Sequence, residues 1–204
     1  EDKISVVEFG ANIDDIESQQ NNKDNKCLNV LFLGVEWVRK GGDIAVECVK
    51  TLNKLGIKSA LYVVGTDTPK EYLGYDFIHS IGFLNKNKES EYKQLREIIS
   101  NSDVLLLPTK AECAGVAFSE ASAYGLPIFT YDTGGIPNYV VNGKSGYRLA
   151  LSADGNDFAN KIKECIDRDE IPVLKKGCKN IYNEKLNWNV WTDKVKIIID
   201  NCLK

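Results

Sequence analysis

Short runs of consecutive apolar residues recur along the chain, separated by longer and more polar segments. The six clearest runs are "NVLFLG" (29–34), "SALYVVG" (59–65), "DFIHSIG" (76–82), "DVLLLP" (103–108), "PIFTY" (127–131) and "GYRLA" (146–150). These runs are apolar throughout instead of alternating with polar residues, which is typical of strands buried on both faces. The pattern therefore predicts about six short strands inside one sheet.

Between these runs, apolar positions recur with the spacing of an α-helix. The clearest segments are "GGDIAVECVKTLNKL" (41–55) and "SEYKQLREIIS" (90–100), and further helices are predicted near 155–168, 171–184 and 189–202. Strands that alternate with helices form parallel sheets, because each helix carries the chain back to the same end of the sheet. We therefore expect the α/β class: a Rossmann-like open parallel sheet of about six strands with helices on both faces.

Three segments frame this sheet. Residues 4–10, "ISVVEFG", are interpreted as a strand of a preceding part of the protein, and 14–26, "DDIESQQNNKDNK", as a polar linker or loop. Trp188 and Trp191 are expected to anchor the last helix against the protein. The predicted division is 1–26 for the preceding segment and linker, 27–186 for the sheet domain, and 187–204 for a helix that packs back.

The composition is that of an ordinary globular chain, with 43% hydrophobic and 27% charged residues among 204. The net charge of -3 and the pI near 5.4 argue against a general nucleic-acid-binding protein, which carries a basic excess. No apolar run approaches the roughly 18 residues that span a bilayer, and the N-terminus lacks the regions of a signal peptide. The chain has no methionine, even at position 1, which suggests a piece of a longer protein.

The six cysteines are scattered without a C-x-x-C pair, at positions 27, 48, 113, 165, 178 and 202. Most lie in apolar or amphipathic stretches, where a thiol behaves as a small hydrophobe. We interpret them as reduced and expect a cytoplasmic protein, with a disulfide-bonded set as the alternative.

Ligands of open parallel sheets bind beyond the carboxyl ends of the strands, so the loops that follow the strands are the places to search. After the first strand, Arg39 and Lys40 stand just before Gly41 and Gly42, where a helix is predicted to begin. Cations beside a helix N-terminus suit a diphosphate, because backbone N–H groups and the helix dipole both favour anions. A solvated basic pair is the alternative.

Glu112 and Glu120 stand eight positions apart in "PTKAECAGVAFSEASAYGLP" (108–127), which follows the fourth strand. A helix that begins near Gly115 or Val116 would leave Glu112 in the loop and place Glu120 more than a turn inside. Glu120 has apolar and small neighbours, so a purely structural role would bury a charge without an evident partner, which is costly. A carboxylate can instead accept two hydrogen bonds from a vicinal diol such as a ribose.

Spacing alone does not identify a site, since Glu89 and Glu97 are also eight positions apart, on what is predicted to be a solvated helix. The context of Glu112 and Glu120 is different: a strand ends before them, and Gly115 between them permits close approach of a ligand. We therefore favour a binding site over core packing with a charge at each rim.

The loop after the fifth strand is a weaker candidate. Thr133 could cap a helix whose first N–H groups, at Gly134 and Gly135, stay free for an oxygen-rich ligand, with a plain turn as the alternative. The stretch "NGKSG" (142–146) resembles the end of a P-loop, but the required earlier glycine is absent and a strand follows, so we interpret it as a turn.

Three other features of the sequence argue against particular kinds of site. His79, the only histidine, lies in an apolar strand pattern and is expected to be structural. A histidine held in a strand for packing would not serve a catalytic triad, and a single histidine excludes a multi-histidine zinc site supplied by this chain alone. The "DRD" at 167–169 follows a helix and is expected to be an exposed end, and no G-x-G-x-x-G occurs to indicate a dinucleotide oxidoreductase.

Three stretches, with the spacing between them, carry a family resemblance: "FLGVEWVRKGGDIAVE", "DVLLLPTKAECAGVAFSEASAYGLP" and "TGGIPNYVVNGKSGY". They resemble the C-terminal, donor-binding domain of a group 1 (glycogen-synthase-like) retaining glycosyltransferase with the GT-B fold, over about residues 28–168. The resemblance implies transfer of a sugar from a nucleotide diphosphate sugar to a saccharide or lipid-linked acceptor. The acceptor would bind to an N-terminal domain that is absent here.

The resemblance also implies roles for individual residues. Glu120 would hold the ribose hydroxyls, and Glu112 would contact the hydroxyls of the donor sugar. Lys40 would neutralise the diphosphate, with Arg39 as a helper. The other implied contacts are the backbone N–H groups of Ala114, Gly115 and Val116 for sugar and phosphate, and Phe83 and Leu84 for the base. Neither a metal nor a cofactor is implied, because cationic side chains and helix dipoles would stabilise the departing nucleoside diphosphate.

Two positions depart from the family's pattern. Val35 stands where the family usually has an arginine, and Arg39 is the nearby charge that could replace it. Asn138 stands where the family often has an acid, after the proline of the G-G-x-P turn.

Two other functions remain open: a sugar-nucleotide epimerase on a similar fold, and a non-catalytic module that binds a nucleotide sugar or a protein partner. No nucleic-acid partner is expected. The expected location is the cytoplasm or the cytoplasmic face of a membrane, since lipid-linked acceptors would allow peripheral membrane association of the full-length protein. The present chain is expected to bind a donor weakly and to turn none over.

Overall fold

The computed structural model describes residues 4–13 and 27–203. One parallel sheet contains six strands: β1 (Leu28–Leu33), β2 (Ser59–Val64), β3 (Ile78–Gly82), β4 (Val104–Leu106), β5 (Ile128–Tyr131) and β6 (Gly146–Leu149). Their order across the sheet is β3-β2-β1-β4-β5-β6. From β1 the chain first adds β2 and β3 on one side of β1, and it later adds β4, β5 and β6 on the other side. This reversal opens a crevice between the loops that follow β1 and β4.

The helices of the described residues are α1 (Trp37–Lys40), α2 (Gly42–Lys54), α3 (Glu89–Asn101), α4 (Val116–Tyr124), α5 (Gly155–Asp167), α6 (Ile171–Lys185) and α7 (Trp188–Cys202). Helix α2 packs against α5, whereas α4 packs against α3 and α6. The two groups cover opposite faces of the sheet, because right-handed crossovers that run in opposite directions along a parallel sheet lie on opposite faces. The predicted α/β class, with an open parallel sheet of six strands between helices, is confirmed.

The core lies along the central strands. Val30, Leu31 and Phe32 of β1 are fully buried, as are all three residues of β4, as continuous apolar runs predict. Strand β3 lies at the edge of the sheet, so His79 on it is exposed and stacks on Tyr62 with ring centroids 4.6 Å apart. The pattern of apolar residues did not reveal this edge position.

Residues 8–13, called the leading segment below, pack against the domain. Residues 4–13 contain no strand, so the strand predicted over 4–10 is wrong. The ring of Phe9 instead lies 5.9 Å from that of Trp188, which in turn contacts Trp191 at 5.6 Å. Trp188 therefore docks α7 against the leading segment, and Trp191 of the same helix packs on Trp188. The predicted linker at 14–26 lies outside the described residues, and the division into 1–26, 27–186 and 187–204 stays a prediction.

The cysteines and the two short polar motifs are plain structural features. All six cysteines are free thiols, three of them buried. The "NGKSG" stretch forms a turn in which the Gly143 N–H donates to the Gly146 carbonyl over 3.0 Å. Helix α5 ends at Asp167, so "DRD" is the end of a helix, as predicted.

Gly41 joins α1 to α2, and its geometry explains why glycine is required. It has a φ of +78°, and a Cβ there would lie 2.3 Å from the carbonyl oxygen of Pro108, in the loop that follows β4. Gly56 has a similar φ of +84° with nothing within 4 Å of a Cβ. We expect Gly56→Ala to cost about 1 kcal/mol of unfolding free energy and Gly41→Ala about 3 kcal/mol, because only Gly41 adds a collision to the backbone strain. Urea unfolding of both variants measures the difference, and equal losses would contradict the close approach of the two loops.

Candidate functional site: a cleft at the carboxyl edge of the sheet

The loops after β1 and β4 lie side by side. The backbone N–H of Lys110 donates to the carbonyl of Arg39 over 2.9 Å, and the Arg39 guanidinium donates to the carbonyl of Ala111 over 2.9 Å. These contacts follow from strand order, since β1 and β4 are neighbours in the sheet. The two loops that carry Lys40 and Glu112 in the sequence are thereby brought together.

Lys40 is the last residue of α1 and is only 8% exposed. Its ammonium forms an ion pair with Oε2 of Glu112, and both side chains border the same cleft. The sequence placed Lys40 in a loop before a helix, and helix α1 was missed because four residues are too few to show a helical period. Lys40 therefore lies at the end of one helix, and only Gly41 separates it from the start of the next.

Arg39 has partners within the chain. Its guanidinium donates to both carboxylate oxygens of Glu36, each over 2.8 Å, and this hydrogen bonding raises the pKa of Arg39. Val35, at the position of the family's arginine, is 61% exposed. Arg39 borders the cleft, but it shares its charge with Glu36, and its role as a helper of Lys40 stays a prediction.

Glu112 lies in the loop before α4, as predicted, and Gly134 and Gly135 support it from behind. The Gly135 N–H donates to the Glu112 carbonyl over 3.1 Å, and a Cβ at Gly134 would lie 2.3 Å from the same oxygen. The prediction that the Gly135 N–H is free for a ligand is therefore wrong. The helix expected after Thr133 is a single 3₁₀ turn that starts after Gly135, without a side-chain cap. The two glycines allow close packing of the Glu112 loop, and neither borders the cleft.

Glu120 lies in the second turn of α4 and borders the cleft although it is only 4% exposed. Its Oε1 forms an ion pair with Nζ of Lys86, which lies on the loop between β3 and α3. The expectation that a buried Glu120 would lack a protein partner is therefore wrong. Burial raises the pKa of Glu120, and Lys86 and the Asn12 backbone oppose that effect without cancelling it.

Helix α4 begins at Val116, where it was predicted to begin. Gly115 is the N-cap, and no side chain caps the helix there. Ala114 and Val116 border the cleft, whereas Gly115 is buried under Phe118, whose ring a Cβ would approach to 2.4 Å. A helix N-terminus without a side-chain cap suits the binding of an anion.

The cleft has a volume of about 400 Å³, which is within the range of small-molecule sites. Phe83, 68% exposed, and Leu84 form part of its apolar wall. The residues predicted from the sequence that border the cleft are Arg39, Lys40, Phe83, Leu84, Glu112, Ala114, Val116 and Glu120. Sequence reasoning missed Asn12 and Lys86, which also border it.

Asn12 reaches the cleft from the leading segment. The Lys86 ammonium donates to the Asn12 carbonyl over 3.2 Å, and the Trp188 indole donates to its side-chain oxygen over 3.1 Å. The Ser119 hydroxyl of α4 also donates to a carbonyl of the leading segment, that of Phe9, over 2.9 Å. The leading segment is thus held between α4 and α7, with Asn12 beside Lys86.

Two further observations concern other kinds of site. Within residues 4–13 and 27–203, no group of three or more His, Cys, Asp or Glu side chains is arranged to hold a metal ion. Across the same part of the chain, none of the helices has the length and apolar character needed to cross a bilayer.

Comparison with known proteins identifies the family. The model of the family "Glycosyl transferases group 1" matches residues 13–183. The chain is 28% identical over 138 residues to the lipopolysaccharide glucosyltransferase WaaG of Escherichia coli K12, a match that covers 67% of this chain and 36% of WaaG. It is 24% identical over 206 residues to the UDP-Gal:alpha-D-GlcNAc-diphosphoundecaprenol alpha-1,3-galactosyltransferase of Escherichia coli, covering 95% of this chain and 53% of that protein. The chain thus spans between about a third and a half of these relatives.

A solved structure shows the same fold. The pneumococcal O-GlcNAc transferase GtfA, in complex with UDP and GlcNAc, superposes with a TM-score of 0.72 at 18% identity, covering 95% of this chain and 38% of that chain. The family match extends over most of the sequence, and the parallel sheet agrees with it. This chain therefore belongs to the group 1 glycosyltransferases and has the Rossmann-like fold of the C-terminal domain of a GT-B enzyme.

Proposed function

We propose that this chain is the donor-binding domain of a retaining glycosyltransferase, which transfers a sugar from a nucleotide diphosphate sugar to an acceptor. The observation that carries the proposal is the pair of lysine–glutamate contacts, Lys40 with Glu112 and Lys86 with Glu120, that border one cleft. Buried charges at the open end of a parallel sheet are costly for folding and common at functional sites.

Each part of a nucleotide sugar has a counterpart in the cleft. The diphosphate would lie between the Lys40 ammonium and the N-terminus of α4, where cation and helix dipole both favour an anion. Glu120 would accept hydrogen bonds from the ribose hydroxyls, and Glu112 would contact the hydroxyls of the sugar. The base would rest against Phe83 and Leu84, which supply apolar surface.

The chemistry would need electrostatic stabilisation more than proton transfer. As the bond between the anomeric carbon and the phosphate oxygen breaks, negative charge grows on the diphosphate, where Lys40 and the α4 N–H groups would stabilise it. The acceptor hydroxyl would attack on the same face of the sugar and pass its proton to the leaving phosphate, which retains the anomeric configuration. This route uses neither a metal ion nor a protein base.

The acceptor would bind to a part of the full-length protein outside this chain. The relative named as acting on a diphosphoundecaprenol substrate supports a lipid-linked saccharide as one acceptor class. The GtfA complex with UDP and GlcNAc supports a nucleotide-sugar donor. We propose the cytoplasm, or the cytoplasmic face of a membrane, as the location of the full-length protein.

The present chain should bind a nucleoside diphosphate weakly without turning over its sugar. Isothermal titration calorimetry with UDP, GDP and ADP, and with the corresponding nucleotide sugars, tests this in one series. We expect measurable heat for one of the three bases and no release of free sugar. Absence of binding to all three by a folded sample would overturn the proposed function, and an epimerised sugar formed without acceptor would favour an epimerase.

A further inference from the structure

Lys86 is the one cation that contacts Glu120 among the described residues. Its Nζ lies between two oxygens, Oε1 of Glu120 and the carbonyl oxygen of Asn12. The Lys86 side chain is 38% exposed, whereas that of Glu120 is 5% exposed. The lysine therefore bridges from solvent to a carboxylate that water hardly reaches.

The surroundings of Glu120 disfavour its ionised form, and Lys86 opposes that effect. Burial raises the pKa of Glu120, so the ionised form is disfavoured by the site itself. The charged and titratable groups that face Glu120 are Lys86 from the β3–α3 loop and Tyr124 on its own helix. Across the cleft lie Arg39 and the pair Lys40–Glu112. Of these groups, Lys86 alone is in direct contact with the carboxylate.

A carboxylate that receives both hydroxyls of a ribose must be ionised and held in one orientation. Protonation would replace one acceptor oxygen by a donor, and free rotation would cost entropy when the diol binds. Lys86 contacts a single oxygen of Glu120, Oε1, and the peptide of Asn12 fixes the position of the ammonium. In metal and catalytic sites, residues behind the site orient in the same way the side chains that contact the metal or the substrate.

We propose that Lys86, held by the Asn12 carbonyl, is a positioning residue that keeps Glu120 ionised and oriented for the donor ribose. This inference rests on the proposed function and extends it to a residue outside the motifs that define the site. It also makes the leading segment part of the donor site, because Asn12 supplies the oxygen that fixes Lys86.

The experiment takes whichever of UDP, GDP and ADP binds most tightly. Calorimetry then compares its affinity with that of its 2′-deoxy form. We expect Lys86→Met to weaken binding of the ribonucleotide roughly tenfold and the deoxynucleotide much less, since its effect passes through the ribose. Lys86→Arg should retain most of the affinity. The pH at which binding is half lost on acidification should rise in Lys86→Met, because an unpaired Glu120 protonates more readily.

Lys88→Met is the matched control. Lys88 lies two residues further along the chain and pairs with Glu91 over 2.9 Å at the surface, with its side chain 65% exposed. Its replacement should change neither affinity nor the pH profile. Lys86→Met added to Glu120→Gln should have no further effect, since the two changes remove the same interaction.

The outcomes separate the two proposals. If Glu120→Gln weakens ribonucleotide binding but Lys86→Met leaves affinity and pH profile unchanged, the positioning role is wrong and the donor site stands. If Lys86→Met weakens the ribo and deoxy forms equally, Lys86 does not act through the ribose, and the inference again fails. If Glu120→Gln itself has no effect, the ribose assignment in the proposed function fails.

Discussion

Replacement of Lys40 by methionine is expected to lower the transfer rate of the full-length enzyme roughly 10²-fold to 10³-fold, because in the proposed mechanism Lys40 is the cation that stabilises the charge growing on the departing diphosphate. In the present chain, affinity for the nucleoside diphosphate should fall, while affinity for the nucleoside without phosphate should stay unchanged. Transfer assays with the full-length enzyme and calorimetry with UDP and uridine, or the matching pair for another base, measure the two effects.

A second variant separates the loss of function from a loss of folding. Removal of Lys40 alone leaves Glu112 partly buried without its partner, which destabilises the fold. The double variant Lys40→Met with Glu112→Gln removes both charges and should recover much of the unfolding free energy without recovering transfer. Lys110→Met, at an exposed position of the same loop, should behave like the wild type. A folded Lys40→Met enzyme with full activity would contradict the role of Lys40.

Glu120→Gln is expected to weaken ribonucleotide binding about tenfold to a hundredfold, as the loss of charged hydrogen bonds predicts. It should not destabilise the protein at pH 7. Burial raises the pKa of Glu120, so the folded state binds this proton more tightly than the unfolded chain does. Stability is therefore lost as the pH rises from the unfolded pKa through the folded pKa, and glutamine removes that loss. Thermal unfolding at several pH values measures this: the midpoint of the variant should equal or exceed that of the wild type at neutral pH and converge with it in acid.

The chain contains its own control for this substitution. Glu97 is the second acid of the other pair of glutamates eight positions apart, and it is exposed on α3. Glu97→Gln should alter neither binding nor the pH dependence of unfolding. A large loss of stability in Glu120→Gln at pH 7 would instead show that the ion pair with Lys86 is chiefly structural.

Most of the fold could be predicted because the central strands of the sheet are buried on both faces. Such strands are continuous apolar runs, and all six predicted strands, including the edge strand β3, appear in the structure near their predicted positions. The segment "ISVVEFG" has the composition of a strand, but residues 4–10 form none in the structure. A strand exists only through pairing with a neighbour, which local composition does not specify.

The site was predictable as far as the topology of the sheet determines it. The sequence placed Lys40 and Glu112 in loops at the same edge of the sheet, because all strands of a parallel sheet end there. That these two loops are neighbours follows from the strand order, which the structure supplies. Lys86 and Asn12 could not be placed from the sequence, because each lies in a polar stretch whose path depends on tertiary contacts. The Gly134–Gly135 pair was misjudged for a related reason. Sequence cannot distinguish a glycine that offers its N–H to a ligand from one that makes room for a neighbouring loop.

The hydrogen bond from the Trp188 indole to Asn12 matters when this protein is shortened for crystallisation or display. Cys27, just ahead of the first strand, looks from the sequence like a natural place to cut. A chain shortened there would keep the whole sheet, yet it would lose Phe9 and Asn12, which cover Trp188 and brace Lys86. Residues 4–13 therefore belong in any minimal version intended to recognise a nucleotide.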